Sequence, residues 1–241
     1  MTRKIVAVTG ANRGIGLAIA KALHSEGYAI AAMVRSSSDE LDALIDGDEA
    51  SAQFDLDLSD AVTVAETTKT MLKWARTLHG LVNCAGTASG GLFTMTSADD
   101  LRAMFEVNVV NQVQIMQLAA RKMIRAKAGS IVNIASTAGL LSDPGTLSYG
   151  ASKAALIHAT RVAAAELGPY NIRANAIAPA VVDTDMAAQM DDAAREKLEA
   201  RSALPGPTAP EDVAGLVSYL MSDASRKLTG QVIRLDRGMP F

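Results

Sequence analysis

A single doubly wound α/β domain on a seven-stranded parallel sheet is predicted by three features of this sequence. Short β-branched or apolar runs alternate with helical patterns along most of the chain, and the first run ends in the glycine-rich turn Thr9-Gly-Ala-Asn-Arg-Gly-Ile-Gly16. The third is size: 241 residues, 49% of them hydrophobic, suffice for one large core without a second domain. Strands of this kind need burial on both faces, which crossover helices provide, and no eighth strand–helix unit is visible to close a barrel.

The elements follow in order. The first strand is KIVAVTG (Lys4–Gly10) and its helix IGLAIAKALHSEG (Ile15–Gly27). AIAAMVR (Ala29–Arg35) is the second strand, followed by a short helix over Asp39–Ile45. SAQFDLD (Ser51–Asp57) is the third, followed by a helix over Asp60–Thr77, which completes a βαβαβ unit. The second half repeats the alternation with GLVNCAG (Gly80–Gly86), one long helix over Ser97–Lys127, GSIVNIAS (Gly129–Ser136) and a helix over Ser148–Leu167. IRANAIAP (Ile172–Pro179) and GQVIRLD (Gly230–Asp236) complete the seven strands. The stretch Asp183–Pro210 departs from this rhythm, with a helical pattern over 187–203 and then the breaker-rich LPGPTAP, and it reads as an inserted lid.

Composition excludes several classes. Basic and acidic residues number 23 and 26, for a formal charge of -3, so no broad cationic field exists for nucleic acid or an anionic membrane. The lone Cys84 forbids an internal disulfide, and the start MTRKIVAVTG has no apolar stretch with a small-residue cleavage site. A reducing cytoplasm is the compartment that fits, and no apolar run reaches the roughly 20 residues of a membrane span. His24, His79 and His158 are far apart in sequence with no paired-ligand spacing, so no metal site is expected. Cys84 reads as a packed residue with no base partner in view.

Two motifs carry chemistry. Gly10, Gly14 and Gly16 lie directly after a strand and open a helix, where a tight turn, close backbone approach and free helix N–H groups suit a pyrophosphate. The arrangement is Rossmann-type, although its spacing differs from GxGxxG and three such glycines also serve a purely structural turn. Tyr149 and Lys153, four apart in YGASK, share one helix face with Cβ atoms about 5–6 Å apart. A cation there lowers a phenol from its usual value of about 10 by roughly 1–3 units and poises it for proton exchange near neutrality. The same spacing also describes an ordinary surface pair.

Taken together, these segments resemble the short-chain dehydrogenase/reductase family over almost the whole chain. The resemblance rests on Gly10–Gly16, Asp57 in DLSD, Asn83 in NCAG, Asn108 in FEVNVV, Ser136 in NIAS, Tyr149 with Lys153, and PAVVDTDM from Pro179. Within the family the sequence is most similar to the 3-oxoacyl-(acyl carrier protein) reductases. The resemblance implies hydride transfer between a nicotinamide and a carbonyl or alcohol, with Tyr149 as general acid/base and Ser136 hydrogen-bonding the substrate oxygen. It also implies that Lys153 holds the nicotinamide ribose and that Asn108 interrupts a helix to hold a water linking Lys153 to solvent. The cofactor-binding set carried over is Gly10, Asn12, Arg13, Gly14, Ile15, Gly16, Arg35, Asp57, Leu58, Asn83, Ala85, Gly86, Tyr149, Lys153, Pro179, Val182 and Thr184. Asp57 and Leu58 take the adenine-contacting position, although Asp57 also suits a helix N-terminus.

Charge selects the cofactor. The second strand ends AAMVRSSS, with Val34 where an NAD enzyme would place an acid for the ribose 2′-OH, and with Arg35 after it. Arg13 stands in the glycine turn, so two cations and a missing carboxylate point to NADPH, although each arginine alone would also suit plain solvent exposure. Two departures from the family pattern stand out. Pro179-Ala180 replaces Pro-Gly, putting a methyl in the loop facing the nicotinamide, and Asp236-Arg237-Gly238 replaces Asp-Gly-Gly at a tight turn.

Met186, Met190, Leu198 and Leu204 either line an acyl-accepting lid or simply pack. Arg121, Lys122, Arg125 and Lys127 either dock an acidic acyl carrier protein or are the solvated cations favoured at a helix C-terminus. The expected substrate is an acyl thioester or another small carbonyl. Alternatives are an alcohol, sugar or small-ketone dehydrogenase of the same family, or a noncatalytic NADPH-sensing or scaffolding protein. The resemblance further implies a homotetramer assembled through the long helices 97–127 and 148–167 with another contact through the carboxyl-terminal segment, where Arg237 leaves a dimer as the fallback.

Overall fold

The computed structural model describes residues 3–185, 187 and 198–240. In chain order the elements are β1 (Ile5–Thr9), α1 (Gly14–Ser25), β2 (Ala29–Val34), α2 (Asp39–Ile45), β3 (Ala52–Asp55), α3 (Ala61–Trp74) and β4 (Gly80–Asn83). There follow α4 (Ala98–Phe105), α5 (Asn111–Ala126), β5 (Gly129–Ile134), α6 (Leu147–Leu167), β6 (Ile172–Pro179), α7 (Pro210–Met221) and β7 (Val232–Leu235). The seven strands are all parallel, in the order β3-β2-β1-β4-β5-β6-β7, which is the doubly wound sheet the alternation predicts.

The strand sequences explain the layering. AIAAMV of β2 is buried at every position, as a strand covered on both faces must be. Alternate residues of β1 divide between the two cores: Val6 and Val8 join Ile19, Leu23, Val213 and Val217 beneath α1 and α7. Ala7 joins Met71, Leu81, Ile115, Met123 and Ile131 beneath α3 and α5. Each fully buried Leu or Ile in these layers contributes roughly 1.5–3 kcal/mol. Asp60 starts α3 by accepting from Val62 N and Thr63 N, and Ser97 starts α4 in a reciprocal capping box with Asp100.

The single long helix expected over Ser97–Lys127 is divided. Between α4 and α5 the backbone widens into a π turn over Glu106–Val110, with Asn108 at its centre. After β6, Asp183 N donates to Thr208 O at 2.9 Å and Val182 bridges Thr208, so the described ends of the expected insertion lie side by side. Most of the helix expected over 187–203, with Met186 and Met190, lies outside the described residues. Leu204 is exposed.

The two family departures resolve differently from each other. Ala180 is absent from the left-handed residues, so its methyl meets no backbone strain, and its N–H pairs with Leu235 O at 3.1 Å. Arg237 does adopt the left-handed conformation, φ 57°, which costs a non-glycine residue about 1–2 kcal/mol. Its carbonyl accepts from Ala203 N and Leu204 N at 2.9 and 3.0 Å, and its guanidinium donates to Gly206 O. The tight turn is therefore kept, and Arg237 ties the carboxyl-terminal turn to the end of the inserted segment.

Candidate active site

The strand order reverses between β1 and β4, which opens a crevice at their carboxyl ends, where open parallel sheets bind ligands. Thr9 holds this crevice together: its hydroxyl accepts from Cys84 N at 2.9 Å and Ala85 N at 3.0 Å, joining the β1 turn to the β4 turn. Gly10 has φ 70°, and a Cβ there would stand 3.0 Å from the Ala85 Cα. At Gly16 a Cβ would lie 2.0 Å from Gly10 O, so any side chain would break the turn. Arg13 precedes α1 without a side-chain cap, and no acid occupies the first helical turn, which leaves the helix N–H groups and dipole facing the crevice. This cradle fits the pyrophosphate of a dinucleotide.

Beyond the cradle the expected positions spread along the same edge. Ser38 Oγ donates to Asn12 O at 2.7 Å, fastening the glycine turn to the start of α2. Val34 is 2% exposed and belongs to the core, so the expectation that it fills the ribose-facing acidic position is corrected: the exposed residue at the end of β2 is Arg35. Asp57 accepts from Ser59 N and Oγ in a local turn and feels the Arg35 charge, while Leu58 beside it is buried. Asn83 is fully buried and donates to Asn133 Oδ1 at 2.9 Å, so its side chain knits β4 to β5 and does not reach the crevice. Ile15 and Val182 pack into the α1 core, Pro179 ends β6, and Thr184 lies against Gly14, where a Cβ would meet its methyl at 3.4 Å.

The other cluster forms where α6 meets the turn after β5. Two glycines make the contact: a Cβ on Gly150 would sit 2.6 Å from Ala138 O, and one on Gly139 would sit 2.8 Å from Ala154 N. Their close approach brings Ser136, at the head of that turn, near enough to Tyr149 to act on its phenol. Lys153 stands next to them, its Nζ 5.8 Å from the Tyr149 ring centre and donating to Ile134 O at 2.9 Å. Gly86 completes the enclosure, since a Cβ there would lie 3.0 Å from Asn108 Oδ1 and 3.5 Å from Lys153 Nζ.

Asn108 is held from several sides. It donates to Thr87 O at 2.8 Å and Ser152 Oγ at 3.1 Å, and accepts from Thr87 N at 2.9 Å. These bonds account for the π turn, because a regular helix would carry the amide away from the loop after β4. Thr9, Ser38, Thr87 and Ser152 were not singled out in the sequence. Their only signal is a small hydroxyl, which is too common to select them.

The electrostatics reverse one expectation. Burial raises Tyr149 above the usual phenol value, and the hydrogen bond from Ser136 only partly offsets it. Lys153 does not lower it as the spacing suggested, because burial draws Lys153 itself down to about 8 and its ammonium is directed at a carbonyl. Burial also pushes the Cys84 thiol up to about 12, which keeps it protonated and poorly nucleophilic. His24 bonds Asp48, and His79 Nδ1 accepts from Ile5 N, both away from the crevice.

The basic cluster lies at the opposite end of β5 from Tyr149. Arg121, Lys122, Arg125 and Lys127 sit at the carboxyl end of α5, next to the start of β5, whereas Tyr149 is beyond the strands' carboxyl ends. The length of β5, about 20 Å at roughly 3.3 Å per residue, separates the two. Lys122 is already engaged, donating to Leu72 O at 2.7 Å.

Comparison with known proteins agrees with this geometry. A family model described as enoyl-(acyl carrier protein) reductase matches residues 10–240. The chain is 33% identical to the 3-oxoacyl-[acyl-carrier-protein] reductase FabG of Thermotoga maritima, covering 98% of this chain and 97% of that one. It is 32% identical to the 3-oxoacyl-[acyl-carrier-protein] reductase of Synechocystis, covering 99% and 98%. Among solved structures it resembles a short-chain type dehydrogenase/reductase from Mycobacterium ulcerans, with a TM-score of 0.90 and 30% identity over 98% of this chain and 89% of that one. It also resembles ElxO with NADP bound, with a TM-score of 0.89 and 29% identity over 98% of both chains. With a doubly wound sheet, a glycine cradle at its switch point and relatives matched end to end, the chain belongs to the short-chain dehydrogenase/reductase family.

Proposed function

We propose that this protein is an NADPH-dependent reductase that converts the ketone of a 3-oxoacyl thioester to the alcohol, the whole chain acting as one catalytic domain. The observation that carries the reading is the convergence of Ser136, Tyr149 and Lys153 around the space left by Gly86, on the same sheet edge as the glycine cradle. NADPH, when bound in that cradle, supplies the hydride to the carbonyl carbon. Tyr149 gives its proton to the carbonyl oxygen while Ser136 donates a hydrogen bond to the same atom. A raised Tyr149 value suits this direction, since the phenol reaches the substrate fully protonated. Lys153, cationic below about 8, would hold the nicotinamide ribose, and Asn108 fixes the loop that walls this pocket.

Arg13 and Arg35 hold the 2′-phosphate in this reading. Gly10, Asn12, Gly14, Ile15 and Gly16 embrace the pyrophosphate, Asp57 and Leu58 face the adenine, and Ala85, Gly86, Pro179, Val182 and Thr184 border the nicotinamide half. Asn83 contributes through its backbone alone, because its side chain is engaged with Asn133.

The test is NADPH oxidation with a panel of 3-oxoacyl thioesters, free ketones, sugars and 2-enoyl thioesters, the last because the matched family model is described as an enoyl reductase. The 3-oxoacyl thioesters are expected to show the highest kcat/KM. Turnover of enoyl thioesters alone would replace the carbonyl reading with reduction of a C=C bond, and oxidation of NADPH by none of the four would leave a sensor or scaffold.

The long helices also support a homotetramer. Val110 and Val162, on the π turn and α6, are 50% and 43% exposed, and apolar side chains on those surfaces suit burial against partner copies. Sedimentation at micromolar concentration is expected to give four copies per particle, and a particle of one copy rejects the assignment.

A further inference from the structure

We propose that Asp185 is a specificity-determining residue: it competes with the 2′-phosphate of the cofactor for Arg13, and so sets how tightly this chain holds NADPH. The inference rests on the NADPH reading above. Arg13 Nη1 lies 3.6 Å from Asp185 Oδ2, with the two side chains 67% and 79% exposed. The pair spans the crevice, since Arg13 belongs to the glycine turn and Asp185 follows β6 on the opposite wall.

The wall beneath the pair is anchored, so the approach is built into the backbone. Thr184 lies against Gly14, its hydroxyl donates to Val182 O at 3.2 Å, and Asp183 N is bonded to Thr208 O. Asp185 is thereby held within reach of the turn. The two cations proposed for the phosphate thus differ in their surroundings, with Arg13 facing Asp185 and Arg35 facing Asp57. A guanidinium fork that engages a carboxylate must release it to engage a phosphate with both nitrogens, and a carboxylate left nearby repels the incoming dianion. Both effects weaken NADPH. NADH carries no 2′-phosphate and is indifferent to both.

Equilibrium binding, followed by nucleotide fluorescence on the intact protein, tests this without turnover. The wild type, Asp185→Asn, Arg13→Ala and the double variant are each titrated with NADPH and NADH. Asp185→Asn is expected to tighten NADPH about twofold to fivefold, the span of an exposed ion pair, and to leave NADH unchanged. In the Arg13→Ala background the same substitution should lose most of that gain. Equal effects on the two nucleotides, no effect on NADPH, or an undiminished effect without Arg13 would each overturn the proposal while NADPH use stands. Tighter wild-type binding of NADH than of NADPH would instead overturn the cofactor reading, and this inference with it.

Discussion

Tyr149→Phe is expected to fold normally and bind NADPH as the wild type does, yet to turn over about 10²–10⁴-fold more slowly. The substitution removes one hydroxyl and leaves the ring in place beside the Lys153 ammonium. The loss should fall on kcat with 3-oxoacyl thioester in excess, because the proton is needed only as charge develops on the substrate oxygen. Ser136→Ala should lower kcat less, since it removes a hydrogen bond and no transferable proton. The wild-type pH profile offers an independent check. With Lys153 brought down to about 8 by burial, its cation is intact below that pH and is lost as the pH rises through it, so reductive turnover should be level in the acid limb and fall above about 8. Tyr149, raised above the usual phenol value, remains protonated across that window and does not cause the fall. A correctly folded Phe variant with near-normal turnover eliminates Tyr149 as the general acid.

The profile turns on a quantity that residue spacing does not convey. Tyr149 and Lys153 were legible as a pair, since four residues on a helix bring two side chains to one face whatever surrounds them. The direction of the phenol shift was not, because it depends on desolvation, and burial of Lys153 is set by β5, Gly86 and α6 together. The sheet was legible for the opposite reason. A run such as AIAAMV, buried at every position, needs no knowledge of its neighbours to be recognised as a central strand. The interruption at Asn108 follows from the family resemblance and is found as a π turn, but the apolar period of α4 and α5 does not show it, because one extra residue scarcely disturbs that period and the bonds that demand it lie at Thr87 and Ser152. Val34 and Asn83 mark the same boundary: sequence position put them at the crevice, and packing turned their side chains into the protein.

The Val34 correction alters how cofactor choice should be tested. Arg13→Ala and Arg35→Ala are each expected to weaken NADPH binding by roughly 1–3 kcal/mol, and the double variant by more than either, while NADH binding changes little. The asymmetry follows from shared contacts: the glycine cradle grips a pyrophosphate common to both nucleotides, and only the 2′-phosphate needs the guanidinium groups. An acid introduced at Val34 would be driven into the core beneath α1, where an ionised carboxylate is costly, so its effect would report damage to the fold. Arg35→Asp is the sounder substitution, because position 35 is exposed at the end of β2. It removes a cation, repels the 2′-phosphate and offers an acceptor to the ribose hydroxyl of NADH, so it should narrow or invert the preference where Arg35→Ala only weakens one side of it. Its new carboxylate also faces Asp57, now without the Arg35 charge, and an Asp57→Asn companion separates that repulsion from the effect on the nucleotide. Equal weakening of NADPH and NADH by the alanine variants would remove the arginines from the phosphate site and leave the catalytic assignment of Tyr149 untouched.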